Sequence, residues 1–241
     1  MENLKMSSEM TFDEVFSLLE AWGTEARRKT NAKKNAGDNQ FGVAIGNLRV
    51  LAIKLKINHI LAMELWKSGN VDARILSTMI MDKDELSANE IMEMIDGLTY
   101  SVLVDEFVYN VIAKTIYADE LYNELVDSDD ECRGRAAWDI IIAKVISENT
   151  IDRAIDLDLD SIIKKIENEM KDAPRCKQES MNRCLCEIGI HFAEYTQKCI
   201  EVGESLGKLD KRQVPKGGTS TYAPEWITRG IKALYKKNNS K

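Results

Sequence analysis

The stretch ELWKSGNVDARILSTMI, Glu64 to Ile80, places a Gly-Asn break between two apolar runs. Glycine is favoured just after the last turn of a helix, and asparagine is favoured as the cap of a following helix. Gly69 and Asn70 therefore predict the end of one helix and the start of another, with Arg74 one turn inside the second. Such a break is typical of a chain built from short helices joined by abrupt turns.

The rest of the chain continues this pattern. Apolar residues recur at steps of three and four residues almost throughout, as in Phe12–Trp22 and Leu48–Leu55, and no window alternates with period two. Proline is absent until Pro174. The sequence therefore predicts an all-α fold without strands.

Three segments repeat the order of a polar turn, an arginine and an apolar stripe, and they begin at Arg74, Arg135 and Arg183. Their irregular spacing favours degenerate HEAT-like helix pairs over a strict repeat family. Stacked helix pairs curve and line a concave face with one helix of each pair, so we expect the three guanidinium groups to share that face. The alternative is that these arginines cap or bridge neighbouring repeats.

The charges are unevenly distributed along the chain. Its formal net charge of -7 argues against a protein that coats nucleic acid everywhere. Thr24–Lys56 nevertheless holds eight Lys or Arg against two acids, and the chain from Ser205 onwards holds nine against two. Asp82–Glu131 reverses this with fifteen acids and two lysines. The two basic ends could hold a polyanion, while solvated helix faces of different sign are the alternative.

Membrane and metal chemistry have little support. No apolar run approaches the roughly 18 residues of a membrane helix, and the initial MENLKMSSEM lacks a secretory signal, so we expect a cytoplasmic protein without a membrane partner. The five cysteines form an odd set without a CxxC pair, which favours free thiols over a metal site.

Several motifs resemble the AlkD-like DNA alkylation repair proteins. The resemblance begins with FGVAIGNLRVLA (Phe41–Ala52) and NHILAMELWKSGNVDARIL (Asn58–Leu76). It continues in the same order through VDEFVYNVIAKT (Val104–Thr115), ESMNRCLCEIGI (Glu179–Ile190) and KGGTSTYAPEWI (Lys216–Ile227). Each motif is weak alone, and their shared order over most of the chain makes the resemblance specific.

This resemblance implies a right-handed α-solenoid of stacked HEAT-like helix pairs. It would form a single domain over residues 1–241, with a loop at about 207–223 and a frayed basic tail at about 236–241. The implied partner is duplex DNA, alkylated or structurally distorted. Active members of the family are monofunctional DNA N-glycosylases that remove alkylated, cationic purines without a metal or another cofactor.

Asp105 matches the catalytic aspartate of that family. Cleavage of the glycosidic bond leaves positive charge on the sugar, and a fixed carboxylate stabilises that charge. A helix predicted from about Leu98 to Ile116 would place Asp105 and Tyr109 one turn apart. A cationic purine is attracted to both a carboxylate and an aromatic face. The alternative is an exposed aspartate beside an interfacial tyrosine.

The aromatic walls of an active member are changed in this chain. Active members carry a tryptophan one turn before the aspartate, whereas the nearest aromatic here is Tyr100, on another side of a regular helix. The family tryptophan of the third repeat aligns with Glu187. Trp66 and Trp138 are possible substitutes, although their apolar stripes favour core positions. The expected substrate-contacting set is Tyr100, Tyr109, Trp66, Trp138 and Glu187.

Phosphate contacts are expected from the basic segment EARRKTNAKKNAG, Glu25–Gly37, through Lys33 and Lys34. Arg74, Arg135 and Arg183 complete this expected set. The sequence leaves three functions open: an N-glycosylase, a non-catalytic binder of unusual DNA structures, and a protein-interaction solenoid whose acidic middle binds a basic partner.

Overall fold

The predicted all-α fold is confirmed by the computed structural model, which describes residues 10–147, 157–209 and 220–238. Within these ranges every regular element is a helix, and none is long and apolar enough to cross a membrane. The α-helices are α1 (Phe12–Trp22), α2 (Glu25–Ala32), α3 (Ile45–Leu55), α4 (His59–Lys67), α5 (Val71–Ile80), α6 (Ala88–Ile95), α7 (Ser101–Asn110), α8 (Ala118–Leu125), α9 (Glu131–Ile146), α10 (Leu159–Glu169), α11 (Arg175–His191), α12 (Thr196–Leu206) and α13 (Ala223–Asn238).

The chain separates into two compact units, Met1–Leu125 and Val126–Lys241. The expected single domain stays a prediction. Of the expected loop at about 207–223, residues 210–219 lie outside the described residues. The same holds for residues 239–241 of the expected frayed tail, whereas α13 includes its residues 236–238.

Helix α5 is the centre of the first unit and packs against α3, α4 and α7. Most of its residues are buried, including polar ones such as Ser77 and Thr78. The break that precedes it forms as the sequence indicates. Gly69 has a φ of +69°, and the Asn70 side chain accepts hydrogen bonds from the backbone N–H groups of Asp72 and Ala73. The break therefore turns the chain from α4 directly into the most buried helix of the unit.

Asp72 anchors the segment that leads into α3. Its buried carboxylate accepts hydrogen bonds from the backbone N–H groups of Phe41, Gly42 and Val43, at 2.7, 2.8 and 2.9 Å. Gly42 has a φ of +78°, and a Cβ there would lie 2.6 Å from the carbonyl oxygen of Thr24. The FGV and VDAR motifs are thus two halves of one structural contact.

Helix α11 is the centre of the second unit and packs against α9, α12 and α13. Its contact with α9 is unusually close at Gly134, where a Cβ would lie 2.6 Å from Cδ of Lys177. The buried Lys177 extends past this glycine and donates from Nζ to the Ser128 carbonyl oxygen. The small residue is required because a long side chain crosses the helix contact.

The helix expected over about 98–116 is shorter in the structure. Tyr100 is the residue that precedes α7, and α7 ends at Asn110 because Val111 leaves the helical region with φ -124° and ψ -71°. A 3₁₀ turn at Ile112–Lys114 follows. Asp105 and Tyr109 nevertheless lie one turn apart on α7.

Candidate functional site

A pocket of about 900 Å³ opens in the second unit beside α11. Of the described residues that line it, four are cationic and one is acidic. The cations are Arg135, Lys171, Arg175 and Arg183, and the acid is Glu179. Trp226 from α13 forms an aromatic wall. The pocket is therefore built for an anion that also carries an apolar or aromatic part.

The spacing of residues along α11 explains how this wall forms. Arg175, Glu179, Asn182 and Arg183 fall on one face of a helix with 3.6 residues per turn, while Cys184 and Leu185 point into the core. The Asn182 amide donates to the carbonyl oxygen of Thr221, which fixes the short segment before α13 against the pocket.

Arg135 is the most strongly held cation of the pocket. Its side chain is only 10% exposed. It lies 3.7 Å from the buried carboxylate of Asp139 and 3.5 Å from the half-exposed carboxylate of Glu179. Nη1 also donates to the Cys176 carbonyl oxygen at 3.3 Å. Ser180 donates to Asp139 at 2.9 Å, so the carboxylate is held as well. A buried guanidinium needs such partners, and they fix Arg135 rigidly at the pocket wall.

Arg175 and Arg183 are more exposed than Arg135. Arg175 Nε lies 3.5 Å from Glu179, and its side chain is 63% exposed. Arg183 Nε lies 3.7 Å from Glu187, which is also 3.5 Å from Nε2 of His191. The Arg175–Glu179 pair is exposed, and solvent-exposed ion pairs of this kind contribute little free energy, about 0–1 kcal/mol. Both arginines line the pocket, and the exposed fraction is 63% for the Arg175 side chain and 31% for that of Arg183.

The expected contact of Glu187 with a nucleotide base stays a prediction. Glu187 lies mostly buried beside Arg183 and His191, where it positions two basic side chains. Its structural role is thus electrostatic, whereas the aligned tryptophan of the family would offer a flat ring.

Cys176, which lies next to Arg175, is not a nucleophile at neutral pH. Burial, followed by a hydrogen bond to Glu131, raises the pKa of the Cys176 thiol to about 12. The thiolate is the reactive form of cysteine, so a neutral thiol at this position is inert. None of the five cysteines, all of which lie within the described residues, forms a disulfide.

In the first unit, Asp105 and Tyr109 are both partly exposed on α7. Tyr100 is only 5% exposed, and its hydroxyl donates to the Asn31 side chain at 3.2 Å. Asn31 in turn donates to Gln40. Burial, with the charges of Asp72 and Asp105, raises the pKa of the Tyr100 phenol. Tyr100 is thus part of a buried polar network, and its assignment to the substrate stays a prediction.

Trp66 and Trp138 are buried as well, and their assignment to the substrate stays a prediction. Trp138 has no exposed surface. Trp66 is buried against Phe107, with ring centroids 5.0 Å apart. Both tryptophans occupy the core positions that their apolar stripes favoured.

Arg74 adopts the capping arrangement that the sequence left open as an alternative. Its guanidinium carbon lies 5.2 Å from the Trp66 ring centroid, and Nε donates to the Trp66 carbonyl oxygen at 3.0 Å. Burial lowers the pKa of Arg74. Lys33 and Lys34 are exposed just after α2, in the same unit.

The structure thus brings together two of the predicted phosphate contacts, Arg135 and Arg183, in one pocket. Sequence reasoning missed the other two cations, Lys171 and Arg175, and the aromatic wall, Trp226. A signal for Arg175 was available, because it lies two helical turns before Arg183 on the same face of α11. No comparable periodicity connects Trp226 to that face, since it comes from another helix.

The comparisons with known proteins agree with this fold. A family model described as DNA alkylation repair enzyme matches residues 16–227. The uncharacterized protein Lin0241 of Listeria innocua is 23% identical over 235 residues, which cover 95% of this chain and 100% of that protein. A solved structure superposes with a TM-score of 0.79 at 24% identity and covers 93% of this chain and 95% of its own.

The protein in that structure is described as one of a new family related to the HEAT-like repeat DNA glycosylases, with affinity for branched DNA structures. The likeness shows that the two proteins share the HEAT-like repeat fold. The family model spans most of the sequence, from before the middle of α1 into α13. The chain therefore belongs to the DNA alkylation repair enzyme family.

Proposed function

We propose that the protein binds branched or otherwise distorted DNA and holds backbone phosphates in the cationic pocket of the second unit. The observation that carries this proposal is the convergence of four cations on one pocket of a chain with a net charge of -7. Guanidinium groups bind phosphate oxygens in a bidentate manner, so arginine is the residue best suited to such a site. The fold shared with a protein described as having affinity for branched DNA structures supports the same choice of ligand.

The cations have different parts in this binding. Arg135 is fixed by Asp139 and Glu179, so it supplies positive charge at an unchanging position. Arg175 and Arg183 are more exposed than Arg135, so their guanidinium groups would be accessible to a phosphate. Such contacts position the DNA backbone without reading the base sequence. A preference for one DNA structure over another would instead come from the shape of the DNA, which decides whether its phosphates can enter the pocket.

The test compares a DNA four-way junction with a duplex of the same sequences, by fluorescence anisotropy over a range of salt concentrations. We expect tighter binding to the junction, and a steep salt dependence with a slope of about 0.9 per phosphate contacted. Arg183→Gln should weaken binding to both DNAs and lower the slope by about 1. The matched control is Lys198→Gln, which removes a cation of the same unit that pairs with Asp160 and does not line the pocket.

Equal effects of Arg183→Gln and Lys198→Gln would overturn the assignment of the pocket. If the wild-type protein shows no DNA affinity even at low salt, the proposal of DNA binding fails. That result would favour a protein-interaction solenoid, which the acidic stretch of Asp82–Glu131 also allows.

A second candidate function is hydrolysis of the N-glycosidic bond of an alkylated, cationic purine. The observation that favours it is the placement of Asp105 and Tyr109 one turn apart on α7, each with partial exposure. Asp105 would stabilise the cationic sugar, and the Tyr109 ring would face the charged base. This function needs no metal, because the carboxylate alone supplies the stabilising charge.

Release of base from methylated duplex DNA tests this second function, with wild type compared with Asp105→Asn. Catalysis by Asp105 predicts release by the wild type and a large loss in the variant, whereas Glu106→Gln on the same helix should change the rate little. Equal release by wild type and Asp105→Asn would contradict the role of Asp105. No release by the wild type leaves DNA binding as the function.

A further inference from the structure

We propose that the pocket of the second unit accepts one unpaired nucleotide, with its base against Trp226 and its phosphate between Arg175 and Arg183. This inference rests on the proposed DNA binding and names the part of the DNA that enters the site. The new element is the contact between a base and Trp226, which the repeated arginines of the sequence do not predict.

The size and the walls of the pocket are the first argument. Its volume of about 900 Å³ is within the range of about 300–1,000 Å³ that small-molecule sites occupy. A surface that only follows a duplex backbone needs a row of cations along a groove. A pocket lined by both cations and an indole matches the two parts of a nucleotide, a charged phosphate and a flat base.

The position of Trp226 is the second argument. Its neighbours on α13, Ala223 and Ile227, are buried in the packing with α11 and α12. Trp226 instead keeps partial exposure and lines the pocket. An exposed aromatic ring inside a cationic pocket has a face that a base can cover. Ala223 and Ile227 hold the helix in place, so the ring is available without a rearrangement of the core.

Base pairing decides which DNA can use this contact. A base inside a duplex has both faces covered by its neighbours, whereas an unpaired base at a branch point or flap has a free face. Stacking on Trp226 would therefore favour DNA with an unpaired nucleotide, such as a flap, over plain duplex, without any preference for base identity. The arginines would bind phosphates in both kinds of DNA.

The experiment measures a ratio of affinities. Anisotropy titrations compare a duplex that carries a one-nucleotide flap with the same duplex without it, for wild type, Trp226→Phe and Trp226→Ala. We expect wild type to prefer the flap, Trp226→Phe to retain most of the preference, and Trp226→Ala to lose about tenfold of it. Duplex affinity and the salt slope should be the same in all three proteins. The ratio is unaffected if part of a variant preparation is unfolded.

Two results overturn the inference while DNA binding stands. In one, wild type binds the flap and the duplex equally. In the other, Trp226→Ala retains the full preference for the flap. A wild-type protein that binds neither DNA at low salt defeats the proposed function itself, so the two failures are distinguishable.

Discussion

Replacing Asp72 with alanine should destabilise the first unit severely. The carboxylate accepts three backbone hydrogen bonds of 2.7 to 2.9 Å from Phe41, Gly42 and Val43, and no water reaches the two inner ones because they are buried. A buried N–H group left without an acceptor costs about 1–3 kcal/mol. Two such groups and one partly buried group give about 3–5 kcal/mol, a large part of the roughly 5–15 kcal/mol that stabilises a typical domain.

Urea unfolding followed by circular dichroism measures this cost. With an m-value of about 2 kcal/mol/M, the midpoint of Asp72→Ala should fall by about 2 M. Asp72→Asn should also lose stability, because the two carboxylate oxygens share the three N–H donors and an NH₂ group in place of either oxygen cannot accept. The control is Asp38→Ala, an exposed carboxylate in the same connecting segment. If Asp72→Ala shifts the midpoint no more than Asp38→Ala, the carboxylate does not hold this segment.

The remaining predictions concern the second unit. Gly134→Ala should lower the unfolding midpoint by the equivalent of about 1–3 kcal/mol, because the new Cβ would lie 2.6 Å from Lys177 Cδ; an unchanged midpoint would show that the lysine moves aside. Cys176, whose pKa is raised to about 12 mainly by burial, should react with iodoacetamide at pH 8 far more slowly than a thiol of the unfolded chain, which mass spectrometry can follow. Hydrogen bonds from Ser161 lower the pKa of Asp158, so its contribution to stability is present above the unfolded pKa and is lost as pH falls through the folded pKa. Asp158→Asn keeps a cap that does not titrate, so its melting temperature should fall less than that of the wild type between pH 5 and pH 2, and equal falls would contradict this cause.

The local starts and ends of helices could be predicted from the sequence where they depend on neighbouring residues alone. Gly69 and Asn70 end one helix and cap the next through bonds within a few residues of themselves. The end of α7 could not be predicted from the sequence. Val111 and Ile112 continue the apolar pattern and are both fully buried, although the backbone leaves the helix at Val111. Periodicity reports which residues face the core and does not report a change from α-helix to a 3₁₀ turn.

The residues of the candidate site could be predicted only in part, for a different reason. Arg135 and Arg183 stood out because each precedes an apolar stripe, and both line the pocket, although Arg183 lies in the middle of α11 and not near its start as expected. Trp226 could not be connected to them, since α9, α11 and α13 meet only through tertiary packing. The tryptophans that the sequence did single out, Trp66 and Trp138, are large rings whose burial stabilises the core.

The buried ion pair of Arg135 and Asp139 couples the residues that these two positions tolerate. Removal of one partner of a buried ion pair costs about 3–5 kcal/mol, whereas simultaneous replacement of both by apolar side chains of matching volume can be nearly neutral. In a saturation library, viable clones should therefore carry both ionic residues or neither. A variant with only one of the two ionic residues would fold poorly, so successive single substitutions would rarely replace the pair during evolution.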